Sequence, residues 1–328
     1  MLIAVHVVAA LVLLVLASDG FTNAVEWVGA LYGLTRSAVG AVVAAIGSSL
    51  PETVVAIIAL LVLRDPASQA VGIGAVVGAP FMLATAVFGL VGLIAIVRRR
   101  SRGERLQTPL PTTMFGLGLF ALTFAVVIAA SFAPTSSVRI VASIAVLAAY
   151  AAYIWYHVRR GGGQSDDKPA RLRFAPRSSR PMAPIVFAQL LVSVAVTVGA
   201  ARWFIGSVTA AADALQLSPL LVSLVLSPIA TELPEMMNVA LWMRRGADEL
   251  ALGNVIGAMM FQTSIASTVA MLASPWRLDR DAYAAAVATF VAVGLVIGFS
   301  LIRRRPSTFA LMLCGALYVA YLAYVIFV

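Results

Sequence analysis

Ten apolar runs divide this chain, each near the roughly 20 residues that an α-helix needs to cross hydrocarbon. They are Leu2–Ala17, Ser37–Leu63, Val71–Val97, Thr113–Phe132, Val138–Val158, Pro184–Phe204, Pro219–Met243, Leu250–Leu272, Ala282–Ile302 and Phe309–Val328, numbered here as spans 1 to 10. In lipid, a spanning segment must satisfy its own backbone hydrogen bonds. The fold class that follows is an all-α integral membrane protein. Composition agrees: 62% of the 328 residues are hydrophobic and 11% charged, with mean hydropathy +0.99. A soluble domain carries about 25% charged residues, so a cytosolic enzyme, a disordered chain and a secreted disulfide scaffold are all excluded. The single Cys314 provides neither a disulfide nor a cysteine metal site. Span 1 has no basic leader and no A-x-A site, so it reads as a span and not as a cleaved signal.

The net charge of +9 would suit a nucleic-acid partner if the basic residues were scattered. They are not. Eighteen of the 23 follow spans 1, 3, 5, 7 and 9: Arg36, the Arg98–Arg105 cluster, the Arg159–Arg180 stretch, Arg244/Arg245 and Arg303–Arg305. Five (Arg64, Arg139, Arg202, Arg277, Arg280) lie on the other side. The positive-inside rule then predicts a multi-pass cell-membrane protein with both termini extracellular or periplasmic. The partners expected are the lipid bilayer and inorganic cations, not nucleic acid. His157–Ala183, rich in Gly, Arg, Pro and Ser, is expected to be a mobile cytoplasmic tether. It separates residues 1–158 (spans 1–5) from 184–328 (spans 6–10), with the basic linker at 159–183.

The two halves match. A shift of 183 residues lays Ser48-Ser49-Leu50-Pro51-Glu52 on Thr231-Glu232-Leu233-Pro234-Glu235. Gly74-Ala75-Val76-Val77-Gly78-Ala79 answers Gly253-Asn254-Val255-Ile256-Gly257-Ala258 after a four-residue slip. Five spans per copy make the second copy inverted, an arrangement that places a transporter's binding site where the copies meet.

Three acids, Glu52, Glu232 and Glu235, fall inside spans. A charge at the bilayer centre costs at least ~3 kcal/mol, so three structural accidents would cost roughly 7–10 kcal/mol. A cation site explains them better. Pro51 and Pro234 deny a helical partner to the carbonyls of Gly47 and Ala230. With the hydroxyls of Ser48, Ser49 and Thr231, these groups make an all-oxygen shell suited to a hard cation, Ca²⁺ above all.

The paired Ser-Ser-Leu-Pro-Glu and Thr-Glu-Leu-Pro-Glu segments, each followed by Gly-x-x-x-Gly, resemble the two alpha-repeats of the cation/calcium exchanger superfamily, in its sodium/calcium exchanger branch. The likeness extends over nearly the whole chain. It implies ten transmembrane helices in two inverted five-helix repeats, with ion sites among spans 2, 3, 7 and 8, and alternating access by rocking of spans 1 and 6. Carried over by resemblance, Glu52 and Glu235 hold the metal ion. Ser48, Ser49 and Thr231 contribute further oxygens, and Asn254 and Gln262 line the ion path with the carbonyls of Gly47 and Ala230. This chain departs from the pattern at Ala79 and Leu83 of span 3, at Ala258 and Gln262 of span 8, and at Glu232, where a serine is usual. Glu232 could restore from span 7 the acid missing at Gln262, three residues before Glu235 and on roughly the same helix face.

The function implied is secondary active antiport of Ca²⁺, or a related cation, against Na⁺ or H⁺. No cofactor is needed, and no nucleophile or H-E-x-x-H motif suggests an enzyme. The rivals are a cation/proton antiporter without calcium preference and an exchanger fold kept for a regulatory or structural role. Weaker signals take structural readings. Gly74/Gly78 and Gly253/Gly257 read as helix-packing surfaces and not as a dinucleotide loop. His6, His157, Trp27, Tyr156, Trp203 and Trp276 read as interfacial residues.

Overall fold

The computed structural model describes residues 2–31, 49–102, 106–133, 135–160, 170–244 and 246–327, and every regular element among them is helical. Span 1 is α1 (Leu2–Leu31). The described part of span 2 is α2 (Leu50–Ile57), which runs into a π-helical stretch, Ile58–Leu63. Span 3 is α3 (Pro66–Met82), a π segment (Leu83–Val87) and α4 (Phe88–Arg102). Spans 4 to 6 are α5 (Leu110–Ala129), α6 (Ser136–Arg160) and α7 (Ala183–Leu215). Span 7 divides into α8 (Pro219–Thr231) and α9 (Leu233–Arg244). Span 8 is α10 (Asp248–Phe261), a π segment (Gln262–Ala266) and α11 (Ser267–Ala273), followed by α12 (Arg280–Arg303) and α13 (Thr308–Phe327). Among the described residues, eight helical stretches are long and apolar enough to cross a membrane. The shorter apolar helices Thr53–Leu63 and Pro219–Pro228 belong to the two spans that carry the Leu-Pro-Glu motifs.

Local chemistry sets these boundaries. Asp65 accepts a hydrogen bond from the Ser68 N–H at 2.9 Å and caps α3, where Pro66 takes the first position. Hydrogen bonding from Ser68 holds the Asp65 carboxyl below the usual carboxylate range. Asp279 caps α12 in the same way through Ala282. Prolines 51, 111, 184 and 234 are each the second residue of a helix, where the missing N–H has no intrahelical partner to lose. The two Leu-Pro-Glu prolines therefore start helices.

Spans 1 and 6 run well past their apolar stretches: α1 has 30 residues and α7 has 33. Asp19, Asn23 and Glu26 make the second half of α1 look like a loop, yet it continues as helix. The linker differs from expectation as well. Residues 170–182 are not an unattached tether, because this segment hydrogen-bonds to α1 and α7 and buries Leu172 completely. Residues 161–169 lie outside the described residues. Trp276 is also no interfacial anchor. It is fully buried, and its Nε1 donates to the Val127 carbonyl at 2.9 Å.

α1 packs along α7, with Val7, Ala10, Leu11 and Leu14 against Ala200, Ala201, Phe204, Ile205 and Val208 in one apolar cluster. α3 lies close against α8. A Cβ on Gly74 would come 2.3 Å from the Leu220 carbonyl oxygen, and one on Gly78 would come 2.5 Å from that of Leu224. The packing reading of this glycine pair holds. Among the described residues, a Cβ on Gly253 would meet nothing within 4 Å and one on Gly257 only Tyr153 Oη at 3.6 Å, so no such close helix contact is seen at the second pair. The largest apolar cluster, built around Phe88, Phe120, Phe124, Val255 and Met259, holds α4, α5, α6, α9, α10, α12 and α13 together.

Candidate functional site

Both Leu-Pro-Glu motifs open a helix, so Glu52 and Glu235 are each the third residue of one, α2 and α9. The first turn of a helix presents unsatisfied N–H groups and the positive end of the dipole, which favours an ionised carboxylate. Ser49 directly precedes α2, Thr231 ends α8, and Glu232 is the single turn residue between α8 and α9. The Glu232 N–H bonds the Pro228 carbonyl and its own carbonyl accepts from Met236, both at 2.9 Å. The chain thus passes from one half-helix to the next without a wide loop. Ala230 stands four residues before Pro234, which has no N–H to give its carbonyl.

The site is dry. Ser49, Thr231, Glu232 and Glu235 have no solvent exposure, and Gln262 has 1%. Gln262 is the junction: its Nε2 donates to Glu232 Oε1 at 2.6 Å and lies 3.4 Å from Ser49 Oγ. Span 8 is therefore joined to the break in span 7 and to the start of α2 through one side chain. Thr231 Oγ1 donates back to the Ser227 carbonyl at 2.7 Å, and Thr53 Oγ1 to the Ser49 carbonyl at 2.9 Å, a local bonding pattern that competes with a straight helix. A buried ionised acid has to be paired or hydrogen-bonded, and Gln262 supplies one such bond to Glu232.

Around this junction are buried oxygens that make no hydrogen bond among the described residues: Gln262 Oε1, Thr263 Oγ1, Ser264 Oγ and Ser227 Oγ. Asn254 is half-buried on α10, and its Nδ2 is in the same condition. Buried polar groups are normally satisfied, and oxygens left over at a site are what a hard cation would use. Ser227, Thr263 and Ser264 were not singled out from the sequence. The signal available was the run Gln262-Thr263-Ser264, with Ser267-Thr268 beyond it, in an otherwise apolar span. Gly47 and Ser48 lie outside the described residues. Among the described side chains, no three acids, histidines or cysteines gather into a metal cage.

The first half of the chain contributes differently. Leu83 stands where Gln262 stands in the second half, and both open π segments at matching positions of the repeat alignment. Single π turns inside helices recur at functional sites. Ala79 and Leu83 are fully buried and apolar, so span 3 adds no side-chain oxygen at these positions.

Comparisons with known proteins bear on the family and the fold. The profile of a family described as "sodium/calcium exchanger protein" matches residues 2–159 and 185–328. Inner membrane protein YrbG of Escherichia coli (strain K12) is 24% identical over 300 residues, covering 92% of this chain and 89% of that protein. Putative antiporter CaxA of Alkalimonas amylolytica is 23% identical over 307 residues, 92% and 91% of the two chains. Among solved structures, the H⁺/Ca²⁺ exchanger CAX superposes with a TM-score of 0.75 at 17% identity, over 99% of this chain and 82% of that one. The sodium-calcium exchanger NCX_Mj gives 0.61 at 19% identity, over 98% of both chains. At these identities the structural likeness is one of fold.

Proposed function

The chain belongs to the sodium/calcium exchanger protein family, and from that premise we propose that it moves Ca²⁺, or a related cation, across the cell membrane in exchange, at least in part, for H⁺. Family membership supports cation antiport, and the choice of ions is our reading of the site. One observation carries it: Glu232, a fully buried acid at the break between α8 and α9, is held by Gln262 three residues before Glu235. Two carboxylates that close in sequence and withdrawn from water are not both ionised at low cost. A divalent cation relieves that cost, and so does a proton on either acid. The two ligands then exclude one another, which is the requirement for antiport.

In this reading Glu52 and Glu235 are the main metal ligands, with Ser48, Ser49 and Thr231 as further oxygen donors. Glu232 is the proton-sensitive member, and Asn254, Gln262, Gly47 and Ala230 line the path. The fold is read as ten spans in two inverted repeats, residues 1–158 and 184–328, joined on the cytoplasmic side by 159–183. Alternating access moves α1 and α7 against the other spans.

Isotopic Ca²⁺ uptake into proteoliposomes tests the proposal. A pH gradient alone should drive uptake, and Glu232→Gln should flatten the pH dependence while retaining Ca²⁺ binding. Uptake driven only by a sodium gradient, or a variant with the wild-type pH profile, would overturn the proton assignment. An absence of cation flux under every gradient would leave the fold with a regulatory or structural role.

A further inference from the structure

At the Leu31 end of α1, the segment 170–174 lies across α1 and α7 and is bonded to both. Asn23 of α1 donates from Nδ2 to the carbonyls of Ala170 (3.1 Å) and Arg171 (3.4 Å), and its Oδ1 accepts from the Arg173 N–H at 3.1 Å. Gln189 of α7 accepts from the Phe174 N–H at 2.8 Å. Its Nε2 donates to the Gly20 carbonyl at 2.8 Å and to Asn23 Oδ1 at 3.1 Å. Trp27 Nε1 adds a bond to the Ala170 carbonyl at 2.8 Å, and Arg173 makes a two-pronged ion pair with Asp19 at 3.0 and 3.2 Å. Asn23 is 4% exposed, while Gln189 and Leu172 are fully buried. Both amide side chains use their carbonyl oxygen and their amino group.

Such a network is more than a loop resting on a helix. A fully satisfied buried polar network fixes one arrangement, because any displacement leaves donors or acceptors unpaired in a dry place. Among the described residues, every hydrogen bond that 170–182 makes to a helix outside itself goes to α1 or to α7. Among the described residues, its hydrogen bonds therefore join these two helices to each other. Close approach supports the junction: a Cβ on Gly20 would lie 2.8 Å from Ser193 Oγ of α7.

We propose that residues 170–174, through Asn23 and Gln189, are a clasp that locks α1 and α7 into one body, so that linker and helix pair travel together when the protein changes state. Asn23 and Gln189 are positioning residues in this proposal, since neither belongs to the ion site. The transport readout of the test rests on the antiport reading above, whereas the distance readout does not.

With Cys314→Ser as background, nitroxide labels on Leu16→Cys and Leu191→Cys report the α1–α7 separation by double electron–electron resonance; both positions are well exposed, at 63% and 69%. The expected result is one narrow distance distribution, the same in saturating Ca²⁺ and at acid pH. A distribution that shifts between these conditions would overturn the clasp. Adding Asn23→Ala and Gln189→Ala should broaden it or split it, and an unchanged distribution would equally overturn the proposal. Because those residues are buried, a second arm leaves them in place. Cysteines replace Asp19 and Arg173, each 55% exposed, and a short bis-methanethiosulfonate reagent joins them. Cross-linked protein should carry Ca²⁺ at the uncross-linked rate. Flux lost on cross-linking and regained with reductant would mean that the segment must leave α1, and the clasp would be wrong. If no flux is seen even before cross-linking, the antiport reading fails and the distance arm still decides the clasp.

Discussion

Gln262 shows how much one residue can organise in a dry site. Its nitrogen is committed to Glu232 and reaches Ser49, while its oxygen makes no hydrogen bond among the described residues. Leu83, at the matching place in the first half, can do none of this. The site is therefore chemically lopsided although Leu83 and Gln262 each open a π segment. The paired acids Glu52 and Glu235 carry the residue-scale prediction. Glu52→Gln or Glu235→Gln keeps the shape and removes the charge, so folding should not suffer, since a charge at that depth costs about 3 kcal/mol or more. Each variant should express and purify as a monodisperse protein, yet Ca²⁺ uptake in proteoliposomes should fall to background. Near-normal uptake at matched protein level would remove that glutamate from the site.

At the level of elements, the contact between α3 and α8 depends on the absence of two side chains. Gly74 and Gly78 let backbone carbonyls of α8 come so close that no Cβ fits, and Ser223 Oγ donates across the contact to the Val71 carbonyl at 2.7 Å. Gly74→Ala should thus force the two helices apart, at about 1–3 kcal/mol for such overpacking. Gly206→Ala on α7 and Gly298→Ala on α12 place a Cβ where nothing lies within 4 Å, and a helical Gly→Ala change of that kind should gain about 0.5–1 kcal/mol. Thermal melting in detergent, followed by size-exclusion chromatography, checks the contrast. A Gly74→Ala melting temperature equal to those of the two controls would mean that α8 yields freely. Because α8 ends at Thr231, a displaced α8 should also depress uptake.

For the molecule as a whole, the orientation expected from charge has a direct test. In the Cys314→Ser background, Ser179→Cys in the linker should react with an impermeant maleimide only from the cytoplasmic face, and Ser136→Cys, at the start of α6, only from outside. Labelling of both from one side would mean that the number of spans between them is not odd. Hydropathy alone made the helical membrane class and most span positions legible, because helices that must satisfy their own hydrogen bonds in lipid leave long apolar runs. Acids inside apolar runs are too costly to be incidental, so Glu52, Glu232 and Glu235 stand out in the sequence alone. What the runs could not show is where polar residues are supported by distant partners. Asp19, Asn23 and Glu26 argued for the end of span 1, yet α1 continues to Leu31 because Asn23 and Trp27 bond a segment about 145 positions away. Gln262 is a departure from the family pattern in sequence, yet its nitrogen is bonded to Glu232 across the fold. Apolar length and charge are local properties that each stretch carries by itself. Whether a polar side chain is stranded or satisfied is a relation between stretches, and only the tertiary structure decided it.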